Sequence, residues 1–255
     1  MRNVLTIFDK ELRGYFSSPV AYGLMAFFAL LSGYFFFFFV QGFVIRGMEA
    51  QMGGRSFPMD VNEWVVRPSL MNASVIALFL IPLITMRLFA EEKSRGTIEL
   101  LITSPVRDSE IILGKWLAAL ALYAAILMVS MVDVLMLYFY GKPELAPILT
   151  GYLGLLLQGG TLLAIGTFIS TTTKNQIIAA FATFGVCLML WVLDSVSAFN
   201  QEAWAKVIAY VSVVSHFEPF AKGVVDSKDV IFYLTMIFFG LFLSARSLES
   251  LRWRS

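Results

Sequence analysis

Long apolar runs separated by short polar clusters dominate the chain. Stretches with little or no charge cover Val20 to Ile45, Pro68 to Met86, Trp116 to Tyr140, Leu145 to Thr173, Asn175 to Leu193 and Val230 to Ala245. A bilayer core of about 30 Å takes roughly 20 apolar helical residues, so each run predicts a membrane-spanning helix. The sixth is short, and Tyr233 with the flanking Lys228 and Arg246 is expected to anchor it at the interfaces. No run alternates strictly between apolar and polar residues, which argues for an all-α integral membrane bundle and against an outer-membrane barrel.

The intervals between the runs carry patterns of their own. Val4, Leu5, Phe8, Leu12, Tyr15 and Phe16 recur at helical spacing opposite Asn3, Asp9, Lys10 and Arg13. They predict an interfacial helix over residues 1–18, turned into the first span by Ser17-Ser18-Pro19; a frayed tail with chance periodicity is the alternative. The interval Arg46 to Arg67 predicts a loop with one short helix around Asn62 to Val66. Gly141-Lys142-Pro143-Glu144 is short enough to make the third and fourth spans an antiparallel hairpin. Asp194 to Asp229 is too polar to span yet apolar enough to bury one face, which predicts one or two short helices dipping into the outer leaflet.

Residues 91 to 105 read EEKSRGTIELLITSP. Gly96 offers a break, after which Ile98, Leu101 and Ile102 share a helical face opposite Glu99, until Ser104-Pro105 ends the helix. Asp108 or Ser109 is placed to cap the next helix. The amphipathic segment either folds back on the bilayer or meets a protein surface, and the pattern alone leaves both open.

Charge sets an expected orientation. With a cytoplasmic N-terminus, twelve of the nineteen basic residues fall inside and seven outside, so the positive-inside rule predicts an inner-membrane protein with both termini cytoplasmic. Only 15% of residues are charged, against roughly a quarter in soluble domains. The first apolar run is too long, and Asp9 and Glu11 before it too acidic, for a cleaved signal. One cysteine, Cys187, excludes an intrachain disulfide, and one histidine, His216, supplies no metal cluster.

No phosphate-binding loop is present: Trp116 follows Gly114-Lys115, and Ser109 stands where the first loop glycine belongs. Neither a zinc motif nor a nucleophile elbow occurs, so catalysis by this chain, a bound cofactor and a nucleic-acid partner are not expected. Asp133 is the one acid inside an apolar run and is predicted to face the bundle, as a substrate or proton contact or as a hydrogen-bonded acid holding helices together. Phe35 to Phe39 reads as lipid contact or packing, with an inward face that could line an apolar path. The glycines of the fourth span, Gly151, Gly154, Gly159, Gly160 and Gly166, read as close helix packing.

Several blocks together resemble a permease of the ABC-2 exporter superfamily. They are Lys10-Glu11-Leu12 with Phe16-Ser17-Ser18-Pro19, Glu91-Glu92-Lys93 with Gly96-Thr97-Ile98-Glu99-Leu100-Leu101, Ser104-Pro105, Ile111-Ile112-Leu113-Gly114-Lys115, and Phe217 to Asp229. The nearest branch by this resemblance contains permeases of gliding motility and of nitrous-oxide reductase maturation. The resemblance implies one transmembrane domain over residues 1–255, paired with a second copy or a related permease, with or without an accessory extracytoplasmic subunit. Two separate ATPase subunits would carry the ATP and Mg. Residues 1–18 would be a connecting helix, 194–229 outer re-entrant helices, and 91–104 a coupling helix seated in the ATPase. Glu91, Glu92, Arg95, Gly96, Thr97, Ile98, Glu99, Leu101 and Ile102 would make that contact, the two leading acids pairing with basic residues at the groove rim.

The implied function is that of an exporter permease driven by its partner's ATP hydrolysis. Family members export lipids, glycans, drugs or peptides, and no substrate-binding residue carries over. A membrane anchor that transmits force and moves no solute is the alternative. An ion-coupled transporter is disfavoured by the scarcity of intramembrane titratable groups and by the lack of internal repeats.

Overall fold

The computed structural model describes residues 2–52, 60–99, 106–141, 143–199 and 210–252 of the 255-residue chain, and no strand occurs among them. Helix α1 is Arg2–Ser17, and α2, Pro19–Met52, starts directly after Ser18. Proline at the first helical position loses no hydrogen bond there, so the Ser-Ser-Pro turn forms as expected. A π-helical turn, Asn62–Val66, leads into α3, Arg67–Thr85, followed by the short α4, Ala90–Ser94. The remaining helices among the described residues are α5 (Asp108–Val129), α6 (Met131–Tyr140), α7 (Leu145–Thr172), α8 (Gln176–Phe199), α9 (Val213–Ala221) and α10 (Ser227–Arg252).

Among the described residues six stretches are long and apolar enough to cross a bilayer, at Pro19–Met52, Asn62–Ser94, Asp108–Phe139, Leu145–Thr172, Gln176–Ser195 and Ser227–Ser250. The chain is an all-helical, multi-pass membrane protein. Its helices outrun the apolar cores that reveal them. α2 continues through Arg46 to Met52, where a loop is expected from sequence, and the Arg46 guanidinium sits 4.3 Å from the centre of the Trp64 ring. The sixth span is 26 residues rather than short. Tyr233 anchors no interface: it is fully buried and donates its hydroxyl proton to the Val213 carbonyl at 2.7 Å.

The third span breaks at Ser130, whose hydroxyl bonds the Leu127 carbonyl at 2.7 Å. A serine hydroxyl competing for the carbonyl ladder is a recognised cause of helix bending.

α7 is the central element, packed against α3, α5, α8, α9 and α10. Its glycines are the reason neighbours come so close. A methyl at Gly159 would stand 2.1 Å from the Tyr123 ring, one at Gly154 would stand 2.7 Å from Phe220 Cβ, and one at Gly166 would stand 2.5 Å from Thr85 Oγ1. Ser74 and Gln158 exchange buried hydrogen bonds across the α3–α7 contact at 2.9 and 2.7 Å. The second and fourth spans bury 72% and 67% of their apolar stretches against 11% for the first, which puts α3 and α7 at the centre and α2 at the edge.

Candidate functional site

The end of the bundle that carries α1 holds most of the charge-bearing chemistry. α1 presents Val4, Ile7, Phe8, Glu11, Leu12, Tyr15 and Phe16 inward, while Leu5 points outward and is 65% exposed. The helix lies so tightly on α5 that a Cβ on Gly114 would come within 2.8 Å of Ile7. Asn3 donates to Glu110 at 3.0 Å, and Glu110 also accepts the Arg107 N–H at 3.3 Å. The first turn of α5 is therefore closed by Glu110 reaching back, with Arg107 rather than Asp108 or Ser109 in the cap position.

That close approach brings Lys115 to two carboxylates. Its side chain is 2% exposed, and Nζ donates to Glu11 Oε1 and Glu92 Oε1, each at 2.9 Å. The Phe89 ring centre lies 5.3 Å from the same nitrogen. A buried ammonium is tolerated only when paired, and here the partners come from α1 and α4, 104 and 23 residues away. The second oxygen of Glu92 is buried with no hydrogen-bond partner. Beside the cluster, Glu91 accepts from Arg87 at 2.9 Å and Arg95 at 2.7 Å. Burial, reinforced by the Glu11 carboxylate, pushes the neighbouring Tyr15 phenol above its ordinary pKa. These groups line a recess of about 290 Å³.

α4 is fixed from a third side by the end of α7. Ser170 Oγ accepts the N–H groups of both Phe89 and Ala90 at 3.1 Å, satisfying donors that a helix start leaves free. Lys93 donates to the Thr171 carbonyl. Gly96 follows with φ +73°, a left-handed conformation that ends α4.

Beyond that turn, Thr97 bonds back to the Glu92 carbonyl at 3.3 Å, Ile98 packs half-buried against the core, and Glu99 is exposed. Arg95 is largely exposed. Leu101 and Ile102 lie outside the described residues. The acids expected from sequence to meet a partner, Glu91 and Glu92, are engaged by this chain's own cations.

Asp133 stands apart from this cluster. It is half-buried in the first turn of α6 and lines a cavity of about 40 Å³ between α2, α3, α6 and α7, with Phe35 and Phe36 among the walls.

At the opposite end, His216 and Asp229 form a buried pair, Nδ1 to Oδ1 at 2.6 Å, with His216 Nε2 2.8 Å from the Tyr210 carbonyl and the ring stacked on Phe232 at 3.8 Å. A carbonyl only accepts, so Nε2 is the donor to Tyr210 and Nδ1 is the nitrogen turned to the carboxyl. Arg67 and Lys222 both pair with Glu218, at 2.6 and 2.8 Å. α9 is thereby fastened to α3 and α10. Trp204 and the rest of residues 200–209, within the segment expected from sequence to dip into the outer leaflet, lie outside the described residues.

Sequence reading singled out Glu92 but not its partners as site residues. Glu11 had a signal: it falls four residues from both Ile7 and Tyr15, an acid within an apolar stripe. Lys115 had another, a cation at the head of a span. The pairing of His216 with Asp229 had none.

Two Escherichia coli proteins, of strain K12 and of O157:H7, each described as a probable multidrug ABC transporter permease YbhR, are 27% identical to this chain over 165 residues. The match takes in 64% of this chain, which spans less than half (44%) of the length of those curated relatives. The family model described as ABC-2 family transporter protein matches residues 5–222, a range that includes most of α1, the Lys115 cluster and α9. The chain belongs to the ABC-2 transporter family.

Proposed function

We propose that this chain is the membrane subunit of an ATP-driven exporter, whose partner ATPase seats residues 91–104 and moves the bundle through the Lys115 cluster. One observation carries the reading: a single buried ammonium joins α1, α4 and α5, so displacement of the 91–104 segment is transmitted to two spans and the interfacial helix at once. Ser170 extends the connection to α7. The hydrolytic chemistry belongs to the partner, with its ATP and Mg; a second permease copy is the proposed companion in the membrane, and the cytoplasm the proposed side of α1. The sequence blocks favour kinship with permeases of gliding motility and nitrous-oxide reductase maturation.

The test is copurification with the ATPase followed by hydrolysis in lipid nanodiscs. Desolvated apolar anchors dominate interfaces, while exposed ion pairs are worth at most about 1 kcal/mol. Leu101→Asp is therefore expected to abolish copurification, Glu91→Gln to preserve it, and Glu92→Ala to give a complex that assembles but transports poorly. Full copurification and normal hydrolysis with Leu101→Asp would remove the segment from its proposed role. Hydrolysis that moves no solute would assign the chain to the force-transmitting class instead.

A further inference from the structure

The cavity beside Asp133 is a set of hydrogen-bond acceptors with its hydroxyl protons already committed. Ser69 donates to the Val65 carbonyl at 2.7 Å, and Ser130 donates to the Leu127 carbonyl at 2.7 Å. Tyr152 OH lies 2.7 Å from Ser130 Oγ, and with the serine proton spent on Leu127 the phenol is the donor of that pair. Asn72 Oδ1 is buried and has no partner. All four residues line the same cavity as the Asp133 carboxyl. An acceptor left unsatisfied away from water is costly, so the site is complementary to a group that brings protons and positive charge.

Size and walls narrow that group further. About 40 Å³ is room for something the size of a water or two, which a primary ammonium fits and a trimethylammonium does not. Phe35 and Phe36 bring aromatic rings, the side chains that best tolerate a cation, to the lining, and Val134, Leu137 and Leu155 complete an apolar wall. Phe37 and Phe38, next along α2, are exposed on its outer side. Aromatic side chains thus run on from the cavity lining to the exposed surface of α2.

We infer that this cavity, within one protomer, binds the primary ammonium head of an alkylamine-type amphiphile, with Asp133 as counter-ion and Asn72 Oδ1 as acceptor. This names a cargo class for the exporter reading and rests on it.

The probe is a primary alkylamine of about twelve carbons with a diazirine on its tail, compared with the matching alcohol and trimethylammonium compound, on the full chain in nanodiscs. The amine is expected to label residues around the cavity about tenfold more than either analogue, since a hydrogen bond to a charged group is worth about that factor. Asp133→Asn is expected to remove that preference and leave alcohol labelling unchanged. Equal labelling by amine and alcohol on the unaltered chain would overturn the inference, whatever the variant does to folding. So would displacement of the amine by sodium chloride but not by unlabelled alkylamine. Capture of the ATPase is scored separately: capture with no amine preference sinks only the cargo class, whereas amine preference with no capture sinks the exporter reading.

Discussion

A lysine side chain with 2% of its surface exposed is held in place by the two carboxylates it joins. Deleting one partner of a fully buried ion pair costs about 3–5 kcal/mol, because the others are left charged and unpaired. Glu11 and Glu92 each keep 19% of their side-chain surface exposed, so Lys115→Met is expected to cost less, about 2–3 kcal/mol. Adding Glu92→Gln should recover part of that loss, since it removes one of the stranded charges. Equilibrium unfolding in mixed micelles measures both variants; strictly additive losses would mean that the two residues are not coupled.

The same reasoning explains what sequence left hidden at this scale. Spacing cannot pair residues 104 positions apart, so Lys115 looked like the head of a span and not the centre of a site.

Among the elements, α7 shows what apolar sequence conceals and small residues reveal. In a bilayer both faces of a span are apolar, so periodicity does not distinguish the inward face. Glycines do, where a neighbour occupies the missing side chain's space. Gly159→Ala and Gly154→Ala press a Cβ against the rigid Tyr123 ring and the Phe220 Cβ, and each is expected to destabilise by about 1–3 kcal/mol. Gly185→Ala, with no atom near its added Cβ, is the control and should be neutral in the same unfolding assay. Equal effects at all three positions would remove α7 from the centre of the packing.

α9 offers an element-scale test in pH. Its Glu218 has a lowered pKa, first through the hydrogen bond from Lys222 and then through the charges of Lys222 and Arg67. A depressed acid stabilises the folded state above its ordinary value of 4.5 and loses that contribution as pH falls through the folded value. Wild type should therefore lose more stability than Glu218→Gln on acidification below about 4.5. Parallel acid curves for the two would show that the tether is not ionic.

At the scale of the molecule, the six spans, their order and the turn at Pro19 were legible because each rests on local chemistry: apolar length, proline geometry, loop brevity. The reach of α2 to Met52 and the burial of Tyr233 were not, since each goes with a neighbour well along the chain, and the break at Ser130 was not, because a serine inside an apolar run does not by itself say whether its hydroxyl will turn back on the carbonyl ladder. Orientation is the remaining global quantity, and the fold sharpens its expectation. Lys10, Arg87, Lys93, Arg95, Lys115 and Lys174 gather at the α1 end of the bundle, and such an excess of cations belongs on the cytoplasmic side. Cys187 is fully buried and is the only cysteine, so a Cys187→Ala background gives a clean reporter. In that background, Ser56→Cys should react with a membrane-impermeant thiol reagent on intact cells, and Ser250→Cys only after the cells are opened. If position 250 reacts on intact cells and position 56 does not, the α1 end faces outward, and an ATPase on the cytoplasmic side could not reach residues 91–104.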